Sequence, residues 1–213
     1  MSSTFLNALA GTRLYPLTDR SLSGLSHAEQ VSHLTDGGVL LVQLREKHLS
    51  PLEFYQEAAA ALQVARERDV KLIVNDRVDI ALALGADGVH LGQDDLPPEA
   101  ARRILGPAVI IGFSTHNLEQ ARFATKLPID YIAIGPIFPT ATKQASGPPV
   151  GLAGIQAVRQ IVGETPLVAI GGITSENSQD VIDAGADAVA VIGDIWLSPG
   201  EVASRIRSLL HNP

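Results

Sequence analysis

Short apolar runs rich in Val, Ile and Leu alternate with Ala-rich segments along the whole chain. The Ala-rich segments have helical spacing; in residues 53–69, for example, apolar positions from Phe54 to Ala65 recur on one helix face. The runs between them are short and β-branched, which is typical of strands buried in a parallel sheet. Eight runs are candidate strands: RLYPLTD, VLLVQLRE, KLIVND, GVHLG, VIIGFST, YIAIGPIF, PLVAIGGI and AVAVIGDIW.

Strict alternation of strand and helix predicts parallel pairing through right-handed crossovers. Residues 75–92 and 174–193 repeat one unit, a helix that ends in Gly-Ala-Asp before a new strand. An open doubly wound sheet has the same local pattern, but eight units in about 200 residues favour a compact (β/α)8 barrel, the TIM-barrel fold. We expect one α/β domain over residues 1–213, with residues 1–12 as an N-terminal extension or helix.

Composition narrows the classes of ligand and the location. The formal charge of −7 disfavours a general affinity for nucleic acid or an anionic membrane, so an anionic ligand needs a local cluster of cations. The chain has no cysteine, which excludes disulfides, a thiolate nucleophile and cysteine-bound zinc, and favours the cytoplasm. The N-terminal segment lacks the basic region of a signal peptide, and no apolar run approaches the roughly 18 residues that span a bilayer.

The second run ends in an amide and two cations at every second position: Gln43, Arg45 and Lys47. Since side chains alternate along a strand, these three are expected on one side, at the C-terminal rim where such barrels carry their active sites. An edge of solvated charges is the plainer interpretation. Gln43, however, lies at a depth where a barrel interior ordinarily holds Val or Leu. We therefore favour the interpretation that the three side chains bind one anionic substrate together.

Acidic side chains follow the next two runs. Asn75 and Asp76 end the third, and Asp94 and Asp95 follow the fourth. Carboxylates beside cations suggest magnesium bridging to phosphate, because magnesium takes one or two carboxylates and completes its shell with water and substrate oxygens. Asp76 or Asp79 could instead cap the helix after the third run, and Asp95 the helix after the fourth.

The fifth run ends with Ser114 and His116 on the same side of the strand. Neither a nucleophile elbow nor an orienting acid accompanies them, which disfavours a hydrolase. Ser114 is therefore interpreted as a hydrogen-bond donor to phosphate, and His116 as an ordinary hydrogen-bonded histidine.

The last three strand ends also carry polar groups. The connection 139–151 is long for a compact barrel and holds Thr140, Thr142 and Lys143, so it is expected to act as a lid or binding loop. The seventh and eighth runs end in glycine, whose bare backbone N–H groups suit a phosphate at the place where barrels commonly bind one. Glycine turns that only allow a helix to pack are the alternative.

In this order, the motifs QLREK, VNDRVDIALALGADGVHLGQDDL, GFSTH, DYIAIGPIFPTATK and VAIGGI resemble the thiamine-phosphate synthase family over roughly residues 13 to 207. The resemblance implies a transferase that joins hydroxymethylpyrimidine diphosphate to hydroxyethylthiazole phosphate and releases diphosphate by dissociative substitution, with Mg²⁺ as cofactor. It implies small-molecule substrates and leaves self-association into a homo-oligomer open.

The family's functional positions carry over residue by residue. The pyrimidine diphosphate site corresponds to Gln43, Arg45, Lys47, Asn75, Ser114 and Lys143. Of these, the residues expected to act in catalysis are Lys143, Arg45, Lys47 and Ser114. The magnesium ligands correspond to Asp76 and Asp95. The thiazole phosphate site corresponds to Thr140, Ala141, Thr142, Gly172, Ile192 and Gly193.

Two features depart from the family or from simple electrostatics. Many relatives carry Ser where this chain has Gly193, and Asp194 places a negative charge beside the expected phosphate. The alternatives are a thiazole tautomerase of the sister family, which isomerises the thiazole phosphate with a histidine at the position of His116, and a non-catalytic phosphate-binding barrel. Retention of Arg45, Lys47 and the other charged positions argues against both.

Overall fold

A computed structural model of the chain describes residues 4–9, 11–140, 147–196 and 199–211. Its strands are β1 (Leu14–Pro16), β2 (Leu41–Leu44), β3 (Lys71–Asn75), β4 (Gly88–Leu91), β5 (Ile110–Thr115), β6 (Tyr131–Ile134), β7 (Leu167–Ile170) and β8 (Ala188–Val191). Its helices are α1 (Thr4–Leu9), α2 (Arg20–Ser23), α3 (His27–Asp36), α4 (Pro51–Glu67), α5 (Val78–Leu84), α6 (Pro98–Leu105), α7 (Leu118–Ala124), α8 (Gly151–Val162), α9 (Ser178–Asp183), α10 (Gly193–Trp196) and α11 (Val202–His211), with a 3-10 helix at Pro199–Glu201.

The eight strands form one parallel sheet in the spatial order β1-β8-β7-β6-β5-β4-β3-β2. An open sheet would leave β1 and β2 as free edges. Instead, Leu17 just after β1 forms a parallel bridge with Gln43 of β2, and the Thr18 N–H donates to the Gln43 carbonyl at 2.9 Å. The sheet therefore closes, which confirms the predicted (β/α)8 barrel and excludes the doubly wound alternative.

The core has two layers, because successive side chains of each strand point to opposite faces. In β2, Leu41 packs inside the barrel, whereas Val42 and Leu44 pack outward against the helices. Tyr15 and Tyr131 also lie in the interior layer. The helix-facing layer forms a continuous apolar cluster around the sheet.

Helix α4 shows how the local sequence sets these elements. Ser50 accepts the Glu53 N–H, and the Glu53 carboxylate in turn accepts the Ser50 N–H, which is a reciprocal capping box ahead of Pro51. The predicted apolar face from Phe54 to Ala65 is buried. This confirms the helix expected over residues 53–69, with its start two residues earlier.

Helix α1 covers the N-terminal end of the barrel. Phe5 is fully buried, stacks on the Tyr131 ring at 3.9 Å between centroids, and meets the Tyr15 ring edge-on at 5.6 Å. Leu9 joins the same interior cluster. The first residues of the described chain thus close the base of the barrel.

The eighth apolar run, residues 188–196, is only partly a strand. β8 ends at Val191, and the remaining residues form the short helix α10, where Ile195 and Trp196 are buried. An apolar run indicates that its side chains are buried, and either a strand or a short helix can bury them. None of the helices formed by the described residues combines the length and apolar character needed to cross a membrane.

Candidate active site

A cavity of about 590 Å³ opens at the C-terminal ends of the strands. The predicted site residues that line it come from six of the eight strand ends and from the β6–α8 connection. They are Gln43, Arg45, Lys47, Asn75, Asp76, Asp95, Ser114, Thr140, Gly172, Ile192 and Gly193. Ala141, Thr142 and Lys143 lie outside the described residues.

The two cations at this rim are each held by a carboxylate. Strand β2 ends at Leu44, so Arg45 and Lys47 belong to the following loop, and their common direction does not come from strand alternation. Arg45 Nη1 donates to Asp19 Oδ2 at 2.5 Å, and Lys47 Nζ donates to Asp76. Both head groups are thereby fixed on one side of the cavity.

Glu46 organises the loop that carries the cations. Its Oε1 accepts the backbone N–H groups of Lys47 and His48 at 2.8 Å and that of Leu49 at 3.3 Å. Burial alone would raise the pKa of Glu46, but these N–H donors and the nearby His27 outweigh it and lower the pKa. Glu46 therefore stays ionised and folds the loop.

The aspartates do not cap the helices that follow them. The N-cap positions of α5 and α6 are Arg77 and Pro97, and neither makes a side-chain cap hydrogen bond. Asp76 adopts a left-handed backbone at φ 65°, which a non-glycine residue seldom does. Asp95 Oδ2 accepts the Gly92 N–H at 2.6 Å within its own turn. The helix-capping alternative is therefore wrong for both Asp76 and Asp95.

The carboxylates of Asp76 and Asp95 interact with each other. Burial raises the pKa of Asp95, and the neighbouring Asp76 charge raises it further. A cation placed between two such carboxylates relieves their repulsion, and Lys47 already contacts one of them. In the described ranges, no group of three or more His, Cys, Asp or Glu side chains could hold a metal ion. Two carboxylates suit Mg²⁺, whose remaining ligands are ordinarily water and substrate oxygens.

Ser114 and His116 both line the cavity but have separate partners. Ser114 Oγ lies 2.8 Å from His90 Nε2, and the Ser114 carbonyl accepts from Gln93 Nε2 at 2.6 Å. His116 Nδ1 donates to the Gly135 carbonyl at 2.7 Å. The two side chains therefore hydrogen-bond to different partners.

Known proteins resemble this chain over nearly its whole length. A family model described as thiamine monophosphate synthase matches residues 14–195. Thiamine-phosphate synthases from Koribacter versatilis and Chloroflexus aurantiacus are 47% and 46% identical, covering 94% and 92% of this chain and 96% and 90% of theirs. A solved thiamine phosphate pyrophosphorylase from Pyrococcus furiosus aligns with a TM-score of 0.86 at 37% identity, covering 97% of this chain and 96% of that one.

The chain belongs to the thiamine monophosphate synthase family. Membership makes it an enzyme of the transferase class, as the motifs predicted.

Of the family's two glycine positions at the ends of β7 and β8, the first is sterically constrained. Gly172 has φ 68°, and a Cβ there would lie 2.7 Å from the Phe138 side chain and from the Pro139 carbonyl. Ile192 and Gly193 line the same part of the cavity. The close approach of the β6–α8 connection thus requires glycine here, whether or not a phosphate also uses the exposed backbone.

Asp194, whose charge had no explanation in the sequence, is paired. Its Oδ1 accepts from Arg205 Nη1 of α11 at 3.3 Å, and its side chain is only 11% exposed. The guanidinium offsets a negative charge that would otherwise face an anion bound to this rim of the family's site.

Sequence reasoning missed several residues that shape this site. Asp19, which holds Arg45, ends the first apolar run just as Asp76 ends the third, so the strand-end position was the available signal. Gln93 lies in the same acidic loop as Asp95 and lines the cavity, but the sequence pattern did not indicate it as a site residue. Tyr15 lines the cavity and Tyr131 is buried beside it, and nothing in their local sequence distinguishes them from ordinary core aromatics.

Proposed function

We propose that this chain couples 4-amino-2-methyl-5-hydroxymethylpyrimidine diphosphate with hydroxyethylthiazole phosphate, giving thiamine phosphate and diphosphate. The observation that carries the proposal is the joint placement of Arg45, Lys47, Asp76 and Asp95 on one side of the cavity. A pair of cations beside a pair of carboxylates suits a diphosphate bridged by a divalent metal. Gln43 and Asn75, both buried, add amide groups next to them.

The reaction requires little proton transfer. The bond between the pyrimidine methylene carbon and the diphosphate oxygen breaks, and its electron pair leaves with diphosphate. The thiazole nitrogen then gives its lone pair to the methylene carbon, forming the new C–N bond. That nitrogen has no proton to lose, so a general base is unnecessary. The main demand is stabilisation of charge that grows on the departing diphosphate.

The fixed cations meet this demand. Arg45 is held by Asp19, so its guanidinium keeps one orientation before any substrate arrives. Preorganised donors of this kind stabilise developing charge without reorganising during the reaction. Lys47 lies beside it, and Lys143 would add a third cation from the β6–α8 connection.

Asp76 and Asp95 are the residues that would hold Mg²⁺. The bound ion would neutralise diphosphate charge as a Lewis acid and orient the leaving group. The mutual repulsion of the two carboxylates and their lack of a capping role support this assignment.

We assign the thiazole phosphate to the C-terminal ends of β6, β7 and β8, with backbone N–H groups and hydroxyls as donors. The residues assigned to it are Thr140, Ala141, Thr142, Gly172, Ile192 and Gly193. Compensation of Asp194 by Arg205 supports an anion on this rim. We further infer a cytoplasmic enzyme that acts on small molecules rather than on nucleic acid or membranes, since the chain lacks cysteine and carries a net charge of −7.

The test supplies both substrates with Mg²⁺ and measures thiamine phosphate, then omits the metal. We expect product only when both substrates and Mg²⁺ are present. Arg45→Ala should lower turnover strongly, whereas Arg68→Ala, which removes an exposed arginine paired with Asp36, should not. Isomerised thiazole without coupled product would favour the tautomerase instead. Substrate binding without any turnover would favour the non-catalytic phosphate-binding barrel.

A further inference from the structure

A line of hydrogen bonds crosses the floor of the cavity. Gln43 Nε2 lies 3.0 Å from the Tyr15 hydroxyl, and the two tyrosine hydroxyls lie 3.0 Å apart. The Tyr131 hydroxyl lies 2.8 Å from His90 Nδ1, and His90 Nε2 lies 2.8 Å from Ser114 Oγ. The line joins Gln43 on β2 to Ser114 on β5, two residues assigned to the same substrate.

The middle of this line is held rigidly. Phe5 stacks on the Tyr131 ring from below. On the neighbouring strand, a Cβ at Gly112 would lie only 2.0 Å from the Tyr131 ring, so the absence of a side chain there makes room for the phenol. His90 itself is buried and stacks against the same ring. The tyrosine hydroxyl therefore keeps one position relative to His90.

The chemistry of the groups sets the direction of the hydrogen bonds. An amide nitrogen can only donate, so the Tyr15 oxygen accepts from Gln43. The buried Tyr15 hydroxyl then needs an acceptor for its own hydrogen, and the Tyr131 oxygen, 3.0 Å away, is in position to accept it. The Tyr131 hydroxyl therefore donates its hydrogen bond to His90 Nδ1.

That direction leaves His90 with its proton on Nε2. The Nε2–H donates to Ser114 Oγ, and the Ser114 hydroxyl hydrogen then points away from His90, toward the cavity. Reversing the line would leave the Tyr15 hydroxyl hydrogen buried without an acceptor, which is unfavourable. Burial raises the pKa of both phenols, so each hydroxyl keeps the hydrogen that this direction requires.

We propose that Tyr15, Tyr131 and His90 are positioning residues that fix Ser114 as a hydrogen-bond donor to the substrate. The proposal rests on the proposed function, in which Ser114 binds the pyrimidine diphosphate. A serine held this way offers its hydrogen to an anionic oxygen or a ring nitrogen before the substrate arrives, which lowers the reorganisation needed for catalysis. The same hydrogen bonds could instead serve only to satisfy buried polar groups. Their loss would then lower the stability of the fold, and any effect on activity would not depend on Ser114.

The direction can be tested without substrate by ¹⁵N NMR of the histidine side chains, with His90 assigned from a His90→Gln variant. We expect a neutral ring with the proton on Nε2 and an Nδ1 resonance shifted by hydrogen bonding. Tyr131→Phe, which keeps the stacked ring, should move the Nδ1 resonance toward that of an unbonded nitrogen. Tyr55→Phe, at a half-exposed tyrosine on α4, should leave it unchanged. A proton on Nδ1 in the unmodified protein would overturn the proposal.

Kinetics test whether Tyr131 acts through Ser114. We expect Tyr131→Phe to lower kcat/KM for the pyrimidine diphosphate by about 10- to 100-fold, the usual cost of losing an outer partner that orients a ligand-binding group. Tyr15→Phe, one step further away, should cost less, and Tyr55→Phe nothing. In a Ser114→Ala background, the Tyr131→Phe effect should nearly vanish, because coupled residues are not additive.

Equal costs of Tyr131→Phe in the two backgrounds would contradict a positioning role, since a general structural defect adds independently of Ser114. The two proposals fail separately. If the unmodified protein makes no thiamine phosphate, the proposed function is wrong, and the NMR experiment still decides the direction of the hydrogen bonds. If coupling is observed and the variants are additive, only the positioning proposal is wrong.

Discussion

Asp19 stabilises a cationic site without lining the cavity itself. Its Oδ1 accepts the Leu22 N–H at the start of α2, and its Oδ2 accepts from Arg45 at 2.5 Å. One buried carboxylate thus fixes both a helix start and the direction of a guanidinium. Because the helix fixes Asp19, the orientation of Arg45 is set by the fold before any substrate binds.

The case for Lys143, which lies outside the described residues, comes from its place on the long β6–α8 connection and from the family resemblance. We expect Lys143→Ala to lower turnover by about 10² to 10³, the range found when one preorganised donor to a developing charge is removed. Steady-state kinetics with both substrates measure this. Lys126→Ala, at an exposed lysine after α7, is the matched control and should have no effect. Turnover near that of the unmodified protein would remove Lys143 from the mechanism.

His27 makes the stability of the fold depend on pH. Its ring is fully buried, with Nδ1 2.7 Å from Thr18 Oγ1 and Nε2 3.3 Å from Glu46. Burial lowers the pKa of His27, and this outweighs the opposing effect of Glu46 and Glu57. As pH falls below the unfolded value of about 6.5, the unfolded chain takes up the proton first, so stability is lost.

We therefore expect the free energy of unfolding to fall between pH 7 and pH 5, with His27 contributing at most about 1.4 kcal/mol per pH unit. His27→Gln should flatten this dependence, and His33→Gln, at an exposed position on the same helix, should not. Urea unfolding at several pH values measures both. An unchanged slope in His27→Gln would show that other groups govern the acid response.

At the scale of elements, apolar runs located every strand but overstated several strand ends. Residues 45–47 and 192–196 continue a hydrophobic or alternating pattern past the last ladder hydrogen bond. Such a pattern reports which side chains are buried, whereas a strand ends where its neighbour stops pairing with it. Strand alternation predicted the correct rim for Arg45 and Lys47. In the structure, however, ion pairs with Asp19 and Asp76 hold the two side chains there.

Helix α1 supplies the base of the barrel through one aromatic ring. Removing the Phe5 side chain would open a cavity beneath Tyr131 and Tyr15, so we expect Phe5→Ala to lower the free energy of unfolding by about 3 to 5 kcal/mol. Phe123→Ala, at a ring that is 57% exposed, should cost far less. Urea denaturation of the two variants compares them. Similar small losses for both would mean that α1 does not stabilise the barrel.

For the whole molecule, strand–helix alternation was enough to predict a barrel, because eight repeated units leave few other arrangements. Closure itself depends on contacts between Leu17 and Gln43, which no local pattern reveals. The same holds inside the site. Polar residues at strand ends could be predicted one by one, but the hydrogen bond between Tyr15 and Tyr131 joins positions 116 residues apart and becomes visible only after folding.

The negative net charge of the whole molecule disfavours binding of the proposed anionic ligand. The need for a metal can therefore be tested by binding measurements alone. The chain carries a net charge of −7, and both Arg45 and Lys47 are already paired with carboxylates. Inorganic diphosphate should therefore bind weakly by itself and better with Mg²⁺, whose charge offsets that of Asp76 and Asp95.

We expect diphosphate and Mg²⁺ together to raise the Tm more than the sum of their separate effects, with a stabilisation of about 2.7 kcal/mol at a hundredfold excess over Kd. Thermal unfolding with each component and with both measures this. Asp95→Asn should abolish the joint effect, because one of the two proposed metal ligands is lost. Asp79→Asn, at an exposed aspartate paired with Arg77, should retain it. A full joint effect in Asp95→Asn would place the metal elsewhere, and the charge on diphosphate would then have to be met by the cations alone.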